Sequence, residues 1–362
     1  MTHDKPAQGA GTHDSTPAAG WSIRPFRDED VPGMTALLNA VFDAYRLGEG
    51  VTEDNIRNDL SMPDFDPRRQ VLVVDGPRVD GVPDDMPVAY ARIGRRDDPE
   101  ADDRIYYMQV TVHPAAEGMG LEQDLAARLI DIARAYEADP ATAPRATVRV
   151  KSYTPDRMHH ARALLSGLGM REVRQFWVME RDLHEPIDEP APIEGVAIRP
   201  YRRPEDNVGA RDAFEDSFSD HWDHHPVPQE EWDHRAASEG FRPDLSLLAE
   251  VDAEPGTFGG FCIVSVRDED NRRRGVRVGW IDLLGTTRAW RRKGLGKALL
   301  LHGLHCLKSA GMDTALLGVD SESLTGANRL YESAGFRIRS REFSYEAPLS
   351  EIGSRRHDAS AA

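Results

Sequence analysis

Short apolar segments separated by polar turns run along the chain, and several have the length and residue types of β-strands. In the second half these segments are LSLLAEVD, GGFCIVSV, RVGWIDLLGT and TALLGVD. The apolar run after Gly294 is longer and stops before Gly311, a suitable C-cap, so a helix is predicted over residues 294–310. Another helix is expected to begin near Ser323 and a last strand at Phe336. This order predicts a mixed α/β (α+β) domain.

The chain carries the same landmarks twice, in the same order. IRPFRDED begins at Ile23 and IRPYRRPED at Ile198, and LLSGLGM at Leu164 is matched by LYESAGF at Leu330. Landmarks repeated at a domain-length spacing indicate a duplicated domain. The predicted division is a disordered tail over 1–20, a first domain over 21–184, a Pro-rich linker over 185–194, a second domain over 195–348 and a polar tail over 349–362.

Charge and cysteine content narrow the range of partners. The 362 residues include 62 acidic residues against 45 Lys and Arg, a formal net charge of −17, which argues against nucleic acid as a partner. No apolar run is long enough to span a membrane, and the N-terminus lacks the apolar core of a signal peptide. Cys262 and Cys306 are too few for a disulfide framework, so a cytoplasmic protein is predicted. A small anionic ligand fits the basic cluster at 291–293 in this acidic chain better than a polymer does.

The basic segment RRKGLGKALL, residues 291–300, is conspicuous in so acidic a chain. It fits neither the P-loop nor the dinucleotide fingerprint, but Arg291, Gly294 and Gly296 match Arg-x-x-Gly-x-Gly. Glycines let a ligand approach the backbone, and the first-turn amides of a helix bind anions, with added charge from Arg291, Arg292 and Lys293. A diphosphate is the expected guest; a solvated basic helix start is the alternative.

This loop, its flanking strand and helix, and the later segment ANRLYESAGF together resemble the GNAT superfamily of acetyl-CoA-dependent acyltransferases over most of residues 195–348. The resemblance implies that Leu284–Thr286 binds the pantetheine arm and thioester, that loop 291–297 holds the diphosphate, and that Tyr331 protonates the departing thiolate. It also implies two tandem domains, each with a mixed, mostly antiparallel sheet flanked by helices. No metal is expected. The implied cofactor-binding residues are Leu284, Gly285, Thr286, Arg291, Arg292, Lys293, Gly294, Leu295, Gly296, Lys297 and Asn328. Tyr331 has a second interpretation as a packing aromatic, and Asn328 as an exposed residue.

The general base is less clearly marked. Strict strand alternation puts Trp280, Asp282, Leu284 and Thr286 on one face, which makes Asp282 the first candidate, directly or through water. An acid paired at the sheet surface is the alternative, and Glu250 is a second candidate. Neither cysteine lies in a nucleophile motif, so direct attack in a ternary complex is predicted instead of an acyl-enzyme.

The first domain departs from the motif where charge matters. Glu117 stands for Arg291, Glu122 for Gly296 and Leu165 for Tyr331, while Gly118 and Gly120 remain. Two carboxylates would repel a diphosphate. The first domain is therefore predicted to keep the fold without catalysis and to wall the acceptor cleft. Tandem GNAT halves with a degenerate first copy resemble mycothiol synthase and its relatives.

The prediction is a monomeric or homodimeric acetyltransferase that moves an acetyl group from acetyl-CoA to the amine of a small molecule. A non-catalytic CoA-binding or interaction protein and a protein N-acetyltransferase are the alternatives. The stretch DSFSDHWDHHPVPQEEWDH, residues 216–234, lacks a standard metal spacing. It is interpreted as a polar loop or as a carboxylate- and imidazole-lined mouth for an amine.

Overall fold

The computed structural model describes residues 20–48, 50–98, 100–222, 224–238, 240–323 and 326–353. Apart from Gly20, the tail predicted over 1–20 lies outside the described residues, as does the C-terminal tail beyond Gly353. Among the helices so described, none is long and apolar enough to cross a membrane.

Strands and helices alternate in the first half as they do in the second. The strands of the first half are β1 (Ser22–Pro25), β2 (Val71–Asp75), β3 (Ala89–Asp98), β4 (Asp103–Val112), β5 (Thr147–Pro155) and β6 (Arg171–Asp182). Its helices are α1 (Val31–Ala44), α2 (Glu53–Leu60), α3 (Pro67–Gln70), α4 (Leu121–Glu137) and α5 (His159–Gly167).

The second half repeats this order with its own helices and strands. Its strands are β7 (Val196–Pro200), β8 (Leu247–Val251), β9 (Phe258–Ser265), β10 (Val278–Thr286), β11 (Thr314–Asp320) and β12 (Arg337–Pro348). Its helices are α6 (Asn207–Phe218), α7 (Gln229–Ala236), α8 (Asp268–Arg274), α9 (Leu295–Ser309) and α10 (Ala327–Ser333).

The twelve strands form one continuous sheet in the order β1-β2-β3-β4-β5-β12-β6-β11-β10-β9-β8-β7. Within the described residues, only β4–β5 and β10–β11 pair in parallel; the other neighbours are antiparallel. The predicted mixed, mostly antiparallel fold is therefore confirmed. The last strand of each half crosses into the other, because β6 lies between β11 and β12 and β12 lies between β5 and β6. Backbone hydrogen bonds thus join the two halves.

Helices cover both faces of the sheet. In the second half, α9 packs on one face over a core that includes Leu299, Leu304 and Leu317. Helices α6 and α7 cover the other face, with Phe214 and Trp232 packed against β9. Strand β10 therefore lies between two helical layers, and we refer to its two sides as the α9 face and the α6 face.

The turn after β3 anchors the second half to the first. Within the first half, Arg104, only 2% exposed, pairs with Asp97 at 2.7 Å and with Glu137 at 2.8 Å and fixes this hairpin against α4. Nearby, Nδ1 of buried His225 lies 3.0 Å from the carboxylate of Asp98, which joins the loop between α6 and α7 to this hairpin. Buried charges need such partners. The Arg104 pairs hold the hairpin within the first half, and the His225–Asp98 contact joins that hairpin to the second half.

The predicted boundaries around the glycine-rich loop are close to those observed, with two exceptions. Helix α10 begins at Ala327, later than predicted, and helix α8 was not predicted. The α8 sequence DEDNRRR has no apolar period; its acidic first turn, basic last turn and left-handed Gly275 suit a short exposed helix.

Candidate active site

Strands β10 and β11 separate half-way along their length. Their parallel pairing covers Val278–Ile281 against Thr314–Leu317 and then ends. On its other side β10 stays paired with β9, but the register shifts between Ile281 and Leu283, which makes Asp282 a β-bulge. Beyond the bulge, the β10 backbone groups directed toward β11 have no strand partner, which opens a passage through the sheet.

The bulge reverses the predicted alternation of side chains. Trp280 and Asp282 lie on the α6 face, where Trp280 pairs with Ser265. Leu284 packs instead into the core under α9, and a Cβ on Gly296 would lie 3.6 Å from the Thr286 methyl. The prediction that all four β10 side chains share one face is therefore wrong, because one extra residue in a strand inverts every side chain after it.

Asp282 is accessible to solvent at the bulge, yet protein atoms surround its carboxylate. Removal of its carboxylate from bulk water raises its pKa from 3.8 to about 6, and the Ser265 hydroxyl and the Arg267 charge offset only part of that rise. Glu250 has the opposite environment. Its carboxylate lies 2.6 Å from Arg199, and that pairing lowers its pKa to about 2. Of the two predicted base candidates, only Asp282 has a pKa near neutrality.

The glycine-rich loop forms an anion cradle at the start of α9. Gly294 caps the helix with φ of 85°, and Arg292 also has a left-handed φ, of 62°. The first-turn N–H groups of Leu295, Gly296 and Lys297 have no intrahelical acceptor. Leu295 contributes only its backbone, because its side chain is buried in the core.

The cations of the loop do not all face the cradle. The Arg291 guanidinium pairs with Asp220 at 2.8 Å and donates to the Ser217 carbonyl, and Asp220 is shared with Arg288. The contribution of Arg291 to diphosphate binding stays a prediction. Lys297 lies 3.6 Å from Asp188, and the Lys293 ammonium lies 4.5 Å from the centre of the Trp290 ring. Arg292 has no ion pair among the described residues.

The first half repeats this loop with the cradle closed. Gly120 and Gly118 have φ of 89° and 76°, matching Gly294 and Arg292, so the two loops have the same backbone shape. Glu122 stands where the second half has Gly296; it is 6% exposed, and its Oε1 accepts a hydrogen bond of 2.9 Å from the Gly118 N–H. The carboxylate of the first half therefore takes the position of an anionic ligand.

The same comparison tests whether the second cradle fits a diphosphate. At Gly296 an added Cβ would meet nothing closer than the Thr286 methyl at 3.6 Å and Leu330 at 3.8 Å. The space that Glu122 fills in the first half is thus open in the second. Glu117, which replaces Arg291, accepts a hydrogen bond from the Tyr45 hydroxyl. Both carboxylates would repel a phosphate.

Tyr331 and Asn328 lie on helix α10, behind the separated strands. Tyr331 is buried with its ring centroid 6.0 Å from that of Phe336, and burial raises the pKa of its hydroxyl well above the usual value. Asn328 Nδ2 donates to the Ser321 carbonyl at 2.9 Å, while its Oδ1 is buried without a partner. Gly285 lies on β10 against the Phe261 ring, where a Cβ would come within 2.4 Å.

The acidic and histidine-rich stretch before α7 is occupied by ion pairs. Asp220 pairs with Arg288 and Arg291, and His224 Nε2 lies 3.0 Å from Glu215. Asp223 lies outside the described residues. Among the residues that are described, no group of three or more His, Cys, Asp or Glu side chains could hold a metal ion.

Three residues near Asp282 lie outside every recognised motif. Ser265 and Arg267 lie at the end of β9 and surround Asp282, and Gly318 lies exposed on β11. Only Gly318 carries a sequence signal, because a glycine inside the apolar run TALLGVD is unfavourable in a strand without a reason.

Comparison with known proteins agrees with this geometry. The profile of the Acetyltransferase (GNAT) family matches residues 208–336. A mycothiol acetyltransferase of Rhodococcus erythropolis is 30% identical over 253 residues, 70% of this chain and 78% of that protein. One from Thermobispora bispora is 29% identical over 309 residues, 85% and 94% of the two chains.

Two solved structures are similar over nearly the whole chain. A GCN5-related N-acetyltransferase from Sphaerobacter thermophilus has a TM-score of 0.67 and 28% identity, covering 91% of this chain and 96% of that one. A tandem GNAT protein from the clavulanic acid biosynthesis pathway has the same TM-score over 91% and 98% of the two chains. At 15% identity, the second similarity concerns the fold alone.

Proposed function

Because the chain belongs to the GNAT family of acetyltransferases, which use acetyl-CoA, we propose that its second half acetylates the amine of a small molecule, with Asp282 as base. The observation that carries the proposal is an accessible carboxylate at the point where β10 and β11 separate, with the open anion cradle of α9 beyond it. Relatives named for mycothiol support a small, polar acceptor.

The cradle would hold the diphosphate of acetyl-CoA through the backbone N–H groups of Leu295, Gly296 and Lys297, with charge from Arg292 and Lys293. At Leu284–Thr286 the β10 backbone groups that face away from β9 would hydrogen-bond the pantetheine amides in the way that a neighbouring strand is bound. This places the thioester in the passage between β10 and β11. The acceptor enters from the α6 face, where Asp282 lies.

Acetyl transfer requires one proton to leave the amine and one to reach the thiolate. The amine nitrogen forms a bond to the thioester carbonyl carbon, the C–S bond breaks, and the Asp282 carboxylate takes the nitrogen proton. With a pKa of about 6, Asp282 is ionised at pH 7 yet basic enough to accept it. Tyr331, whose raised pKa keeps it neutral, donates its proton to the thiolate.

Cys262 and Cys306 take no part in this scheme. Both are free thiols, and burial raises the pKa of each. A buried neutral thiol is a poor nucleophile, which favours direct attack over an acyl-enzyme. Free thiols also favour the cytoplasm as the site of action.

The test is acetyl transfer by the wild-type protein to mycothiol lacking its acetyl group and to a panel of small amines, followed by release of the CoA thiol. Calorimetric titration with acetyl-CoA runs in parallel on wild type, Asp282→Asn and the matched control Glu250→Gln. We expect one acetyl-CoA site in all three proteins. Transfer should fall about 10²–10⁴-fold in Asp282→Asn only. Wild-type protein that binds acetyl-CoA but acetylates no amine, or Asp282→Asn with full activity, would refute the proposal.

A further inference from the structure

Gly318 is an exposed residue in the interior of the sheet. It lies in β11, between β10 and β6, where side chains are normally covered on both faces. Apart from its chain neighbours, no described atom lies within 4 Å of the position that a Cβ on Gly318 would take, and its φ is not left-handed. Neither a left-handed backbone conformation nor a closely packed neighbour therefore requires glycine at this position. The side chain that another residue would have here would point into open space.

This open surface lies beside the proposed base. Ile281 and Leu317 are the last paired residues of β10 and β11, and both contact the core on the α9 face. The next residue on each strand, Asp282 and Gly318, is therefore directed to the α6 face. On its other side Gly318 pairs with Val178 of β6, which also lies on that face. The floor next to Asp282 is thus a shelf of Gly318 and Val178.

Ion pairs stand on both sides of this shelf. Toward the carboxyl end of β11, both carboxylate oxygens of Asp320 accept hydrogen bonds from Arg174 at 2.9–3.0 Å. Toward the other end, Arg339 lies 3.3 Å from Glu180. Arg174 also pairs with Glu322 at 2.8 Å, so this cluster has one more carboxylate than cations, whereas Arg339 and Glu180 form a one-to-one pair. Both groups present hydrogen-bond donors and acceptors, so the walls of the shelf suit a polar acceptor.

We propose that Gly318 determines acceptor specificity, because the side chain that it lacks leaves the space for a substituted carbon next to the reacting nitrogen. The acceptor then carries its amine on a ring or branched carbon of a polar molecule. An amine on a simple methylene would leave the shelf unfilled. This inference rests on the proposed function, since it takes Asp282 as the base.

The test adds a side chain to the shelf without disturbing the fold. Gly318→Ala and Gly318→Val place one and three carbons in open space, and both residues favour a strand more than glycine does. Gly94, in β3 of the first half, is the matched control, since its Cβ position also has no described atom within 4 Å. Acetyl-CoA affinity and thermal unfolding are measured for every variant. The acceptor kcat/KM is measured for two amines that differ only in having a ring carbon or a methylene next to nitrogen.

We expect Gly318→Ala to lower kcat/KM for the ring-carbon amine about 10-fold and Gly318→Val at least about 100-fold, the range that one misplaced methyl or more produces in a fitted pocket. The methylene amine should lose less, and acetyl-CoA affinity and unfolding temperature should not fall. Gly94→Ala should match wild type. The proposal is overturned if both Gly318 variants keep activity within about twofold of wild type, or lose both amines equally. Wild-type protein inactive toward every amine would instead refute the proposed function, and this inference with it.

Discussion

Neutralising the two candidate bases, Asp282 and Glu250, should change the free energy of unfolding in opposite directions. The folded-state pKa of Asp282 is raised to about 6, so its ionisation destabilises the fold, and the native state binds more protons than the unfolded chain between pH 4 and 6. Its contribution is present below the unfolded value of 3.8 and is lost as the pH rises through about 6. Asp282→Asn should therefore be more stable than wild type at pH 8.

The size of this gain follows from the shift. About two pKa units correspond to about 3 kcal/mol for a group wholly removed from water. The Asp282 side chain is accessible at the bulge, so water screens much of that cost, and about 1–2 kcal/mol at pH 8 is expected. The gain should shrink toward zero at pH 4. Glu250, held at a pKa of about 2 by Arg199, stabilises the fold above pH 4.5, so Glu250→Gln should be less stable than wild type at pH 8.

The assay is urea unfolding of wild type, Asp282→Asn and Glu250→Gln at pH 8, 6 and 4, followed by fluorescence and circular dichroism. Differences between variants cancel the titration of every other group. Equal or lower stability of Asp282→Asn at pH 8, or a gain that does not change with pH, would show that Asp282 is not desolvated. The argument for its basicity would then fail.

Three further predictions concern the donor acid, the cradle and the buried Arg104 of the first half. Tyr331→Phe should lower kcat about 10²-fold with acetyl-CoA affinity unchanged, because only the proton donor is lost; equal loss of binding would indicate a packing role. Gly296→Glu should abolish acetyl-CoA binding in calorimetry, because it reproduces the closed cradle of the first half. Glu122→Gln should bind acetyl-CoA as wild type does. Binding that persists in Gly296→Glu would mean that the site lies elsewhere. Arg104→Ala should cost about 1.5–3 kcal/mol in urea unfolding because it removes the charged hydrogen bonds of a buried guanidinium to Asp97 and Glu137. Arg57→Ala, which breaks an exposed helix pair, should cost about 0.5 kcal/mol or less, and similar losses for both would contradict this.

Much of the cofactor loop could be read from adjacent residues. A left-handed residue before a helix favours glycine, and Gly294 and Gly120 take that conformation at the two corresponding places. The sequence also predicts the loss of the cradle in the first half, since Glu122 replaces a glycine at a site that needs open space and positive potential. The contact that results, a hydrogen bond from the Gly118 N–H to the Glu122 carboxylate, depends on the folded shape of the loop.

The acceptor side of the site was not predictable in the same way. The position of the Arg291 guanidinium depends on its contact with Asp220. The face on which Leu284 lies depends on a bulge two residues earlier. The accessibility of Gly318 depends on neighbouring strands that come from both halves. A bulge has no reliable local signature, and one extra residue is enough to exchange the two faces of a strand.

The sequence by itself determined the duplicated mixed α/β domains, the glycine-rich loop and the half in which that loop is open, because backbone conformation and local charge are set by neighbouring residues. Only the tertiary structure decided the exchange of β6 and β12 between the halves, the environments that separate Asp282 from Glu250, and the shelf at Gly318. These features depend on which distant strands pair and on which charged side chains the fold brings together. Such contacts exist only when the whole sheet has formed.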